Sequence, residues 1–184
     1  FLHSCPTRRS CDLNVLKCKD VVFNGAYDQY GRGRVSNFLQ SFNLVNMNLD
    51  IDGHRIENKD ATNMKQVLDM KHASLKTIFD YQDKATVSYT YYALRNLPYT
   101  VLVDVTIVAK KDIEIIPASV MEAPDALKDV QNYYNEIDRP HVTLSLLSSI
   151  AKSPTGKLTI AASTSFLFDE PHEREPRQIH TMWA

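Results

Sequence analysis

From Leu44 onward the chain alternates apolar and polar residues with a period of two, and that alternation commits it to β-structure. Val45, Met47, Leu49 and Ile51 interleave with Asn46, Asn48 and Asp50, and Asp52-Gly53 then supplies the strongest hairpin signal in the sequence. His54–Ile56 starts the return strand. Further strands are expected over Met64–Met70, Leu75–Tyr81 and Ala85–Ala93, with Lys71–Ser74 and Gln82–Lys84 as breaks. Tyr99–Val108 is the best strand: Tyr99, Val101, Val103, Val105 and Ile107 share one face, while Leu102 and Val108 sit on the other beside Thr100, Asp104 and Thr106. Asp112–Ile116 reads as a short strand ended by Pro117. Val142, Leu144 and Leu146 mark another, and Leu158–Phe166 follows the Ser153-Pro154-Thr155-Gly156 turn. The one helix candidate is Pro124–Val130, with Pro in a first-turn position and Asp125 near the positive end. About ten strands joined by short turns predict an all-β, antiparallel two-sheet sandwich with at most one short helix.

Composition removes several function classes. A net charge of -1, from 21 basic and 22 acidic residues, offers nothing to recruit nucleic acid or an anionic membrane. No apolar run approaches the roughly 20 residues that span a bilayer, and Phe1–Leu13 lacks the apolar core of a secretory signal. The expectation is a soluble bacterial protein, of the cytoplasm or the periplasm. Cys5, Cys11 and Cys18 are an odd count near the start, without C-x-x-C or His-x-x-x-His spacing, and predict neither a disulfide framework nor a metal site. Phe1–Leu13, FLHSCPTRRSCDL, resembles translated sequencing-adaptor sequence at the ends of metagenomic reading frames and is expected to be non-native. Residues 14–168 are expected to form the sandwich, and the Pro-containing stretch 169–184 to start a linker.

The most distinctive stretch for chemistry is Gly25–Arg34, GAYDQYGRGR. A phosphate-cradling loop needs a helix N-terminus after the glycines, and none follows. A surface loop bent by its glycines is the plain reading. A sugar-facing loop is the functional one, with Tyr27 and Tyr30 to stack on a pyranose and Asp28, Arg32 and Arg34 to bond hydroxyls. Asp50 and Asp52, Asp80 and Asp83, Asp125 and Asp129, and Asp169 and Glu170 are acidic pairs, yet none is marked as the two carboxyls about 5 to 10 Å apart that a glycosidase needs. They read as turn and cap residues. His54, His72, His141, His172 and His180 lie scattered. Tyr89 and Tyr91 share a face with Val87 and are expected in the core, whereas Tyr92 points the other way. No catalytic residue is expected in this chain.

Three segments together resemble the N-terminal domain of glycoside hydrolase family 65, the maltose, trehalose and kojibiose phosphorylase group. Val21–Asp28, VVFNGAYD, is similar to the family's hydrophobic-x-G-x-Y/F-D strand. Leu44–Ile56, LVNMNLDIDGHRI, is similar to its hairpin with a D/N-G turn, and Val67–Tyr81, VLDMKHASLKTIFDY, resembles its L-D-M-x-x-G-x-L-x-R-x-F hairpin. Ala73 stands where the family usually has Gly, and Lys76-Thr77-Ile78 replaces the usual arginine neighbourhood. The resemblance implies a galactose mutarotase-like super-sandwich, truncated, that precedes a linker and an (α/α)-toroid catalytic domain. That toroid would be its partner and would carry the general acid. The parent would act on an α-glucoside with inversion, with inorganic phosphate as co-substrate or with water, and without a cofactor. The resemblance also allows a homodimer. The alternative reading is a stand-alone carbohydrate-binding or adhesion sandwich.

Overall fold

The computed structural model describes residues 21–29, 35–94, 96, 97, 99–140, 142–167 and 179–182. The regular elements among them are strands, apart from one 3-10 turn at Asn58–Asp60, so the chain is all-β, of the sandwich kind that the alternation requires. It divides into two compact units, one built on Asn48–Ile116 and the other on the described parts of Asp20–Met47 and Pro117–Ala184. No helix among the described residues is long and apolar enough to cross a membrane.

The first unit holds the most regular sheet. Strands β5 (Ala61–Asp69), β6 (Ser74–Tyr81), β7 (Ala85–Ala93) and β8 (Val101–Ala109) form an antiparallel meander in sequence order. Pairing in register places Thr77 opposite Tyr89, Phe79 opposite Val87 and Tyr81 opposite Ala85, and all six side chains are buried. Phe79 and Tyr89 stack at 6.1 Å, which adds to their area burial. Tyr89 is thus a core residue, as its alternation with Val87 predicts, and burial pushes its phenol well above the ordinary tyrosine range. Val103, Val105 and Ile107 of β8 continue the same face across the sheet. Tyr99, expected to open β8, instead lies in the preceding turn at φ 68, mostly exposed.

The hairpin of β3 (Met47–Ile51) and β4 (His54–Arg55) turns on Asp52 at φ 51 and Gly53 at φ 73. Positive φ at both central residues is the type I′ geometry whose twist matches the strands, so Asp-Gly works here as the sequence signalled. Asp52 does more than turn. Its carboxylate accepts the Glu114 N–H at 3.0 Å and pairs with Lys84, while its own N–H donates to the Glu114 carbonyl.

The second unit contains the β1–β2 pair (Val21–Gln29 and Ser36–Ser41), the parallel pair of β9 (Ile115–Met121) with β13 (Ile179–Met182), and an antiparallel sheet of β10 (Lys128–Arg139), β11 (Val142–Lys152) and β12 (Thr159–Ser165). Its core is Leu39, Phe42, Met121, Leu127, Leu147, Ala151, Ile160 and Ala162.

Two expectations fail in this unit. Pro124–Val130 is not a helix: Leu127 N–H closes a turn onto the Pro124 carbonyl, and β10 begins at Lys128. Seven residues are too few to offset helix nucleation, whereas an edge beside β11 offers a full ladder of partners. Pro117 does not end a strand either; it lies inside β9, which runs to Met121. The pairing with β13 starts at Ala118, so the missing proline N–H costs that ladder nothing. Ile179–Met182, within the stretch expected to start a linker, is itself β13. Phe1–Leu13 and His141 lie outside the described residues.

Candidate functional site

The Gly25–Arg34 stretch is a strand for half its length. β1 runs to Gln29 and pairs antiparallel with β2, Tyr27 opposite Phe38 and Asp28 opposite Asn37. Register shifts between Val22 and Tyr27, a bulge that Gly25 makes affordable by taking φ 89. The bulge sets which of Tyr27 and Asp28 faces outward. The expectation that both sit on a loop is therefore replaced by a strand, on which successive side chains point to opposite faces. Tyr30, Arg32 and Arg34 lie outside the described residues.

Tyr27 is 46% exposed and packs against Phe38, which is 55% exposed, with ring centroids 5.0 Å apart and planes tilted by 39°. Two exposed aromatic rings at the tip of a strand pair are the kind of surface that stacks on the apolar face of a sugar. Asp28 points the opposite way, to 6% exposure. Thr155 donates to it twice over, from its backbone N–H at 3.0 Å and from its hydroxyl at 2.7 Å, and Gln29 N–H adds a third donor at 2.7 Å. Hydrogen bonds from Ser153 above all, and then from Thr155 and Gln29, outweigh desolvation and hold the Asp28 carboxyl well below the usual carboxylate range. The carboxylate fastens β1 to the turn between β11 and β12. Ser153-Pro154-Thr155-Gly156 was legible as a turn; its role as a cradle for a distant aspartate was not, because the two are far apart in sequence.

Several other acids are similarly committed. Asp80 accepts from Thr86 at 2.6 Å, from Asn63 at 3.1 Å and from Lys110 at 3.1 Å, which ties β5, β6 and β7 to the residue that follows β8. Those bonds, Thr86 foremost, push its carboxyl down to about 2. Asp50 forms a two-pronged pair with Arg55, Asp83 pairs with Lys111, and Asp129 with Lys152 at 2.9 Å. His72 sits 2.6 Å from Asp69, and His54 3.4 Å from Asp60. The carboxyls of Asp52, Asp60, Asp69 and Asp83 are all lowered, by Lys84, the Glu57 N–H, His72 and Lys111 respectively. A general acid needs the opposite displacement. Among the described residues no three His, Cys, Asp or Glu side chains gather as a metal would require.

An all-β chain whose G-x-Y-D strand is locked by its aspartate, followed by an Asp-Gly hairpin and a four-stranded meander, defines a class of domain. The chain belongs to the glycosyl hydrolase family 65 N-terminal domains, whose family model matches residues 17–181. It is 58% identical over 164 residues to a kojibiose hydrolase of Mucilaginibacter mallensis, an alignment that covers 89% of this chain and 24% of that protein. It is 44% identical over 167 residues to a kojibiose hydrolase of Flavobacterium johnsoniae, covering 91% and again 24%. The chain thus spans about a quarter of the length of these curated relatives.

Proposed function

We propose that this chain is a non-catalytic part of an enzyme that hydrolyses kojibiose. The observation that carries the reading is the 58% identity to a kojibiose hydrolase across 89% of the chain. Since that relative is about four times as long, the reading places the reaction on the remainder of the protein, an (α/α)-toroid partner domain. There a protonated carboxyl would donate to the glycosidic oxygen while water attacks the anomeric carbon from the opposite face. The lowered carboxyls of this chain support its exclusion from that step. The relatives' names favour water over phosphate as the attacking group, and their length favours a domain over a stand-alone carbohydrate-binding module. Any sugar-facing role stays with Tyr27, Tyr30, Arg32 and Arg34; the Asp28 carboxylate is already engaged.

The test is glucose release from kojibiose by the full-length protein, with and without inorganic phosphate. Release that is independent of phosphate, and absent from residues 1–184 alone, is expected. Glucose 1-phosphate formed only with phosphate would make the parent a phosphorylase. Inertness toward kojibiose in both conditions would remove the substrate assignment.

A further inference from the structure

Asp52-Gly53 is chemically labile as well as tightly turned. An aspartyl carboxyl followed by glycine is open to attack by the next peptide nitrogen, because glycine has no side chain to shield that nitrogen. Packing offers no shield at Gly53 either: beyond its chain neighbours, no atom of the described residues lies within 4 Å of where a Cβ would stand. What stands in the way is the hold on the Asp52 carboxyl. Its Oδ1 accepts the Glu114 N–H at 3.0 Å, and its Oδ2 accepts from the Lys84 ammonium. The Asp52 N–H donates to the Glu114 carbonyl at 2.9 Å, so backbone and side chain are both fixed. Lys84 foremost, and then the Glu114 N–H, lower the carboxyl below its ordinary range and keep it an anion.

We propose that Asp52-Gly53 is a site of backbone isomerisation, and that Lys84, from the turn between β6 and β7, holds it closed. In the reaction the Gly53 nitrogen bonds to Asp52 Cγ. The Cγ–OH bond breaks, and the hydroxyl leaves with the nitrogen's proton as water, which closes a succinimide ring. Water then opens the ring. Cleavage at Cγ returns aspartate. Cleavage at the backbone carbonyl carbon leaves the chain running through Cγ, an isoaspartate of unchanged mass. The neutral carboxyl is the reactive form, and it must first turn back over Gly53. The clamp opposes both requirements. It favours the anion, and it aims the two oxygens at groups 32 and 62 residues away in sequence. The product does not fit the hairpin. Isoaspartate adds a carbon to the main chain of a turn whose φ angles of 51 and 73 match the twist of its strands. It disturbs the pairs of Asp50 with Arg55 and Ile51 with His54, and the bond from residue 52 to Glu114.

The test is to hold the full-length protein for weeks at neutral pH, well below its melting temperature, then digest it and separate the aspartyl and isoaspartyl forms of the residue-52 peptide. Little isoaspartate is expected in folded wild type, and much in the same protein held in urea. Lys84→Met removes the ammonium and should speed its formation on the order of tenfold. Lys84→Arg keeps a charged donor and should stay near wild type. The backbone bonds of residue 84, from its N–H to Tyr81 and from the Lys110 N–H to its carbonyl, survive each change, so a thermal melt should show folded variants. Should Lys84→Met fail to fold, Lys84→Gln, which keeps a donor without the charge, is read in its place and should fall between wild type and the urea sample. Isoaspartate forming in folded wild type as fast as in urea, a folded variant without the charge that gains none, or a Lys84→Arg variant as fast as the uncharged ones would each overturn the proposal.

Discussion

Replacing Ala73 with glycine should stabilise the protein. The β5–β6 hairpin closes through Met70–Ala73, between the paired Asp69 and Ser74. The Asp69 carboxylate accepts the N–H groups of Lys71 at 2.9 Å and His72 at 3.0 Å, which fixes the first half of the loop. Ala73 completes the reversal at φ 52. Left-handed backbone costs an L-residue roughly 1–2 kcal/mol, because Cβ crowds the following carbonyl oxygen. Glycine escapes that cost but gives back about 0.4–1 kcal/mol through the greater freedom of its unfolded chain. The difference is a gain of about 0.5–1 kcal/mol. The hydrogen bond from Ala93 N–H to the carbonyl of residue 73 needs no side chain and survives the change. Calorimetry should show the transition of this domain raised by about 1–4 °C, at about 2–4 °C per kcal/mol for a chain of this size. Ala73→Val should lower it, since a β-branched residue tolerates positive φ least. A glycine variant that melts lower, or a valine variant that melts unchanged, would mean that residue 73 is not left-handed in solution. The same geometry explains why glycine is usual at this position in the family that the hairpin resembles.

Asp28→Asn should lower the melting temperature while leaving KM for kojibiose unchanged in the full-length protein, because it turns a donor toward Thr155 and Gln29; a changed KM with an unchanged melt would restore Asp28 to a sugar-binding role. Asp80 titrates in the folded protein at about 2 against about 3.9 unfolded, so its contribution is complete above about pH 4 and disappears as pH falls toward 2. Asp80→Asn should therefore flatten the loss of stability over that window in melts recorded against pH, and an acid limb as steep as wild type would refute the assignment.

The meander was readable because β7 and β8 alternate cleanly and each is bounded by turn residues. A half-buried strand writes its period into the sequence, and Ala85–Ala93 forms with the bounds that the alternation indicates. The Asp-Gly turn was readable for a related reason: few residues accept two positive φ angles, so the local chemistry names the turn. β10 was not readable. KDVQNYYNEIDR has no clean period, and its strand is imposed by the hydrogen bonds of β11, a partner that a local window does not contain. Asp28 is the same case at the site. Its neighbours suggested a sugar ligand, whereas the Thr155 hydroxyl and N–H that it accepts come from a turn more than a hundred residues later. By itself the sequence determined the β class, the hairpin turns and the family, because period and turn chemistry are local properties. Which acid is committed and which aromatic is exposed were decided by the tertiary structure alone, since each depends on what long-range pairing places alongside.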